Sequence, residues 1–279
     1  MNPETACAIA EAYCHTNNLA FHKAIGKGAS KYAFLVEGGD GPAALKIADL
    51  LVSQTDRLVR EAKALQLCDH PGIAHILSTQ RFNWGVGHYW IVIEEYLQGG
   101  TLENLIDSKS VEHQDLLLIA RKLANVLAYL YPMRLVHRDI KPANIMFRSS
   151  SVDPVLTDFG IVRVLDAPSL TQDFLQQGPG TPFYAAPEQL NNDKALIDWR
   201  TDQFCLAVSI AHCALGRHPF QTPTDKPHDA IFRVARRENL PFANAEMLGR
   251  LGLGALCKAL HPWPIGRYCS PEQFVKSLD

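Results

Sequence analysis

The chain lacks any long apolar run. Its longest nearly apolar stretch, Phe204–Gly216, contains His212 and falls short of the roughly 18 residues that a bilayer-spanning helix requires. An excess of charge of either sign is also missing. The 27 Lys and Arg against 29 Asp and Glu leave a net charge of −2, which excludes an electrostatic coat for nucleic acid or a polybasic membrane binder and leaves room only for a local basic patch. No Cys-x-x-Cys spacing occurs. The seven cysteines, at 7, 14, 68, 205, 213, 257 and 269, are an odd number in mostly apolar contexts, so free buried thiols in a reducing compartment are expected rather than disulfides or zinc. Met1–Cys14 has no Lys or Arg and two Glu, which is not the basic start of a secretory leader. Repeats and low-complexity tracts are absent. What is present, 47% hydrophobic and 20% charged residues over 279 positions, is the makeup of a globular protein with one large or two small domains and a real core. A cytoplasmic location is expected.

Two kinds of pattern follow one another. Between residues 19 and 96 the chain reads as short extended runs, Leu19–Ile25, Tyr32–Glu37, Ala43–Ile47, Gln80–Trp84 and His88–Tyr96, joined by Gly-rich turns such as Gly38-Gly39-Asp40-Gly41 and Gly85-Val86-Gly87. A small antiparallel sheet is predicted. One helix interrupts it at about Gln54–Cys68, with Leu58, Glu61 and Leu65 on one face. From Leu102 onward helices dominate: Asp115–Tyr131 carries Leu116, Ile119, Ala120, Leu123, Leu127 and Leu130, and Asp202–Leu215 is apolar nearly all round, which predicts burial. The change of character falls at Gln98-Gly99-Gly100.

Four short motifs appear in order: Gly26-Lys27-Gly28, Ala43-Ala44-Leu45-Lys46, His137-Arg138-Asp139 with Asn144 five residues past the Asp, and Asp158-Phe159-Gly160, followed by Gly-Thr-Pro-Phe-Tyr-Ala-Ala-Pro-Glu at 180–188. A lone Gly-x-Gly would be weak, but the ordered set is highly specific. The chain resembles a eukaryotic-type (Hanks-type) protein serine/threonine kinase over residues 19–275, with the flavour of bacterial members. The resemblance implies an α+β, bilobal fold: an N-terminal extension (1–18), a small β-rich N-lobe with one main helix (19–96), a hinge (97–100) and a larger α-helical C-lobe (101–279), together one kinase domain.

Phosphoryl transfer asks mainly for positioning and countercharge. By the resemblance, Lys46 holds the α- and β-phosphates of ATP and pairs with Glu61; a solvated helix charge is the plainer reading of Glu61. Asn144 and Asp158 supply hard oxygens to Mg²⁺, with Mn²⁺ as an alternative. Asp139 accepts or orients the substrate hydroxyl proton, and Lys141 neutralises the γ-phosphate. Gly26 and Gly28 bring backbone close to the phosphates, Ala33, Ala44 and Met146 sandwich the adenine, and Glu95 and Leu97 are hinge contacts. His137 is expected to be architectural, Glu188 and Arg267 a buried ion pair, and Asp202 the start of the buried helix and the anchor of the catalytic loop. Lys141 with Gly180-Thr181-Pro182 resembles the Ser/Thr class. Expected partners are ATP and protein substrates, without nucleic acid or a membrane segment, and with an optional dimer for autophosphorylation in trans.

Three features depart from the family pattern. Ser30 and Lys31 replace the aromatic tip and third glycine of the Gly-rich loop, and Ala207 replaces a glycine in the buried helix. Glu94 falls where an apolar or Thr side chain lines the back of the adenine pocket; there a carboxylate has to find a partner or be protonated. A one-residue bulge would put Ile93 there instead. A pseudokinase scaffold is the alternative from another class, and a small-molecule kinase a third. Arg138, Arg163, Arg57 and Arg60 suggest a phosphate-binding cluster served by Ser169 or Thr171, against plain surface arginines.

Overall fold

The computed structural model describes residues 1–27, 31–49, 66, 68–108, 112–149, 152–158 and 181–279. The expected helix with Arg57, Leu58, Arg60, Glu61 and Leu65 lies outside them, as do Gly28, Ser30, Phe159, Gly160, Arg163, Ser169 and Thr171. The described residues form two compact units, 1–97 and 98–158 with 181–279.

The first unit is a five-stranded antiparallel sheet of order β1-β2-β3-β5-β4, built from β1 (Ala20–Lys27), β2 (Lys31–Gly38), β3 (Gly41–Asp49), β4 (Ile76–Trp84) and β5 (Gly87–Glu95). Gly41 and Gly85 sit at φ +99° and +58° in the hairpin turns, a conformation glycine adopts without a Cβ penalty. Side chains alternate across the strands. Leu45, Ile47, Ile91 and Ile93 point to one face, Ala44, Lys46, Val92 and Glu94 to the other.

The segment expected only as an extension is helix α1 (Pro3–Thr16), and it belongs to the core of this unit. Asn2 caps it by accepting from the Thr5 amide at 2.7 Å, and Pro3 pre-sets its first turn. Ala6, Ile9, Ala10 and Tyr13 follow the i, i+3, i+4, i+7 spacing of one helix face, and all are buried against Phe34, Val36, Leu45, Ile47, Ile91 and Ile93. Burying side chains such as Ile9 and Tyr13 is worth about 2 kcal/mol each. The Tyr13 ring meets Phe82 edge-on at 5.3 Å between centroids, and its hydroxyl accepts from Gln80 Nε2.

The second unit carries α2 (Leu102–Ser108), α3 (His113–Leu130), the hairpin β6 (Ile145–Phe147) and β7 (Pro154–Leu156), and then α4 (Pro187–Leu190), α5 (Trp199–Leu215), α6 (Pro227–Ala235), α7 (Phe242–Arg250), α8 (Ala255–Ala259) and α9 (Pro271–Ser277). Helix α5 is buried along most of its length, and α3, α7 and α8 pack on it. It starts at Trp199 rather than at Asp202, because Asp198 caps it by accepting from the Arg200 amide at 2.8 Å; Gly216 ends it at φ +66°. Among the described residues one helical stretch, 113–133, is long and apolar enough to cross a membrane. Its stripe of Leu116, Ile119, Ala120, Leu123 and Leu127 is buried in the core of the unit.

Gly99 and Gly100 both have steric reasons. Gly99 donates to the Phe147 carbonyl at 2.9 Å, and a Cβ on Gly99 would sit 2.6 Å from that oxygen; Gly100 is at φ +76°. The Gly-Gly pair thereby ties the entry of the second unit to β6.

Candidate active site

In the first unit Gly26, Ala33, Ala44, Lys46 and Glu94, all singled out from the sequence, share the sheet face opposite α1. Gly26 lies across from Ala33, Ala33 across from Lys46, and Ala44 across from Glu94; directly paired residues of antiparallel strands project to the same side. Three small residues therefore surround one cation. Lys46 and Glu94 are diagonal neighbours on β3 and β5 and form an ion pair, with side chains 13% and 8% exposed. The carboxylate that the sequence placed awkwardly beside an apolar pocket has found the lysine. Ile93 points the opposite way into the α1 core, so the alternative with Ile93 on this face is not the observed register. Glu95 donates its amide to His75 O at 2.9 Å and accepts from the His75 amide at 3.0 Å, while Leu97 is buried.

The second unit gathers Asp139, Lys141, Asn144 and Asp158. Lys141 Nζ lies 3.1 Å from Asp139 Oδ2, and Asn144 Nδ2 donates both to that oxygen at 3.1 Å and to the Asp139 carbonyl at 2.7 Å. With Nδ2 engaged in these bonds, Oδ1 is the side-chain atom of Asn144 that can serve as an oxygen donor to a cation. Asp158 reaches the same place through the β6–β7 hairpin: Ile145 pairs with Leu156, and the Thr157 amide donates to Asn144 O at 3.0 Å. Asp158 is held at φ +59°, a left-handed conformation that costs a non-glycine residue about 1–3 kcal/mol. An amide oxygen and a carboxylate form a hard, all-oxygen donor pair, which suits Mg²⁺, an ion that takes few protein ligands. Met146 in β6 bridges to Thr101.

Buried polar groups fix the loop around Asp139. Asp202 accepts from the His137 amide at 2.6 Å and the Arg138 amide at 2.7 Å; burial pushes its carboxyl up to about 7 against the pull of those amides. His137 Nδ1 accepts from the Asp139 amide at 3.2 Å, so Nε2 carries the proton and donates to Thr157 O at 2.8 Å. His137 is wholly buried and structural. Glu188 and Arg267 form a bidentate pair at 2.7 and 2.9 Å with neither side chain exposed, and Thr201 Oγ1 donates to Glu188 at 2.8 Å. One cluster escaped the sequence reading: Tyr184 Oη meets His212 Nδ1 at 2.9 Å, and Phe183 packs edge-on against His212 and His218. Its only sequence signal is the presence of two histidines near the end of an apolar helix.

Residues 19–250 match the protein kinase domain model. The chain is 32% identical over 174 residues to a probable myosin light chain kinase of Dictyostelium discoideum, covering 61% of this chain and 53% of that protein, and 29% identical over 225 residues to the serine/threonine-protein kinase PknB of Mycobacterium leprae, covering 80% and 35%. The crystal structure of Rad53 1-466 in complex with AMP-PNP shares the fold with a TM-score of 0.70 at 20% identity, over 94% of this chain and 65% of that one. The chain belongs to the Hanks-type serine/threonine branch of the protein kinase domain family. It spans about a third to a half of the length of these curated relatives.

Proposed function

We propose that the chain binds ATP with a divalent cation and transfers the γ-phosphate to Ser or Thr hydroxyls of proteins, itself included. The observation that carries this reading is the setting of Asp139: its carboxylate is held by Lys141 and Asn144, beside the Asp158 that the β6–β7 hairpin brings to Asn144, an arrangement suited to orienting a substrate hydroxyl and taking its proton. Asn144 Oδ1 and Asp158 would hold Mg²⁺, which when bound supplies countercharge to the phosphate oxygens. Lys46, paired with the Glu94 carboxylate, would hold the α- and β-phosphates, and Lys141 would face the γ-phosphate. Glu61 would be a further partner of Lys46. Ala33, Ala44 and Met146 would flank the adenine, Glu95 and Leu97 would offer backbone groups to its edge, and Gly26 and Gly28 would admit the phosphates. The seven unpaired thiols fit a reducing, cytoplasmic compartment. Phosphorylation in trans within a transient dimer, at Ser169 or Thr171, is the regulation this reading favours.

The test is Asp139→Asn. Turnover on a generic protein substrate should fall by roughly 10²–10⁴, while calorimetry finds MgATP affinity within a few-fold of the parent. Near-parental autophosphorylation in the variant would remove Asp139 from the chemistry.

A further inference from the structure

The residue after the Ala-Pro-Glu segment has no role in the reading so far, yet it touches the catalytic loop. Gln189, partly buried in α4, makes three side-chain bonds to three separate segments. Its Oε1 accepts from the Ala186 amide at 3.0 Å and from the Cys205 thiol of α5 at 3.3 Å, and its Nε2 donates to the carbonyl oxygen of Arg138 at 2.8 Å. These partners dictate the amide's orientation. The Ala186 amide can only donate, the Arg138 carbonyl can only accept, and the fully buried Cys205 thiol, pushed well above its ordinary pKa by desolvation, stays protonated and donates.

The carbonyl that Gln189 holds belongs to the Arg138–Asp139 peptide bond. The N–H of that same peptide is taken by His137 Nδ1, and the preceding N–H, that of Arg138, by Asp202. Arg138 itself sits at φ +66°, a conformation that a residue with a Cβ keeps only when its surroundings over-determine it. Asp202 and His137 hold the donors of this strained turn. Gln189 holds its acceptor.

We propose that Gln189 is a positioning residue for Asp139: its amide locks the Arg138–Asp139 peptide plane and ties it to the 181–186 segment and to α5, so that a shift of that segment reaches the catalytic carboxylate. This rests on the kinase reading of Asp139. The plane sets the direction of the Asp139 side chain, and a misplacement of the order of 1 Å at a catalytic group costs on the order of 10²-fold.

Gln189→Glu separates this role from a packing role, because an ionised carboxylate at the same place still accepts from Ala186 and Cys205 but cannot donate to Arg138. At pH 8 its kcat should fall about tenfold or more with KM for ATP within twofold, and amide exchange over residues 137–141 should quicken. As pH falls towards 6, the carboxyl takes a proton and can donate again, so the ratio of variant to parent kcat should recover. Gln189→Met removes all three bonds at similar volume and should show the loss without the recovery. Parental kcat and exchange in Gln189→Glu at pH 8, or the same loss in both variants with no pH recovery, overturns the proposal. A parent that transfers no phosphate overturns the kinase reading instead, and the exchange measurement then still decides whether Gln189 holds the loop.

Discussion

The two units hold their functional side chains by different means. In the first, the site is one face of a sheet: Gly26, Ala33 and Ala44 contribute little beyond backbone, and Lys46 pairs with a strand neighbour, Glu94. In the second, Asp139 is set by groups wired to one another, with Lys141 and Asn144 on its carboxylate and Asp202, His137 and Gln189 on the backbone around it. A pleated surface needs only a register to present side chains. A loop with a left-handed residue needs its polar groups satisfied one by one. The second unit is therefore a polar construction dependent on buried partners, and the sheet is an apolar construction whose site face carries the Lys46–Glu94 pair.

The comparison breaks most sharply at Arg267. Its guanidinium is wholly buried and also donates to the carbonyls of His261 at 2.8 Å and Arg200 at 2.9 Å. Arg267→Ala leaves Glu188 and these carbonyls stranded, and loss of one partner of a buried pair costs about 3–5 kcal/mol. The second unit should melt many degrees lower. The double variant Glu188→Gln/Arg267→Met, which leaves no orphaned charge, should recover part of that loss. An Arg267→Ala protein that melts with the parent would mean that the pair contributes nothing to the second unit.

A smaller effect sharpens the contrast through pH, because ionisable groups with resolved large burial shifts concentrate in the second unit. Burial lowers His212 to about 4, so the fold holds it neutral. A folded pKa below the free value of 6.5 means stability that is complete above 6.5 and drains as pH falls through 4. Asp202 runs the other way: with its folded pKa raised to about 7 from 3.8, it favours the fold at low pH, and that contribution is lost as pH rises through 7. The parent alone reports the sum. Replacing His212 with Gln should flatten the acid side, with a difference of about 3 kcal/mol between parent and variant appearing from pH 6.5 to 4. Denaturant titrations with parallel pH dependence would show that His212 does not titrate with folding.

How far the sequence disclosed this division depends on range. The strands, α3 and α5 follow from periodicity, and the Glu188–Arg267 pair and the Asp202 anchor follow from the family resemblance of their motifs. The start of α5 was displaced by three residues because Asp198 is the cap and Asp202 merely looks like one. Helix α1 was legible in Ala6, Ile9, Ala10 and Tyr13 but went unread, since nothing local says which surface an isolated amphipathic segment covers. The Tyr184–His212 contact and the Gln189–Arg138 bond join positions 28 and 51 residues apart with no shared motif. Such contacts are set by tertiary packing, which periodicity does not encode.

The smallest expected effect lies at the ion pair of the first unit. Glu94→Gln keeps the shape and an acceptor for Lys46 but removes the charge, so the stability loss should be about 1 kcal/mol, close to the value of one hydrogen bond. If Lys46 and Glu94 are coupled on the sheet face, Lys46→Met should cost less in the Glu94→Gln background than in the parent, with a coupling of about 1 kcal/mol in a double-mutant cycle. Additive losses would mean that the pair is a contact without energy. The same face bears on ligand binding under the proposed function. There, Glu94→Thr trades a carboxylate for a small side chain beside Ala44 and Lys46, so an ATP-competitive inhibitor with a bulky group behind the adenine should bind severalfold more tightly, while ATP turnover persists. Unchanged inhibitor affinity would place Glu94 outside the nucleotide site and confine it to holding Lys46.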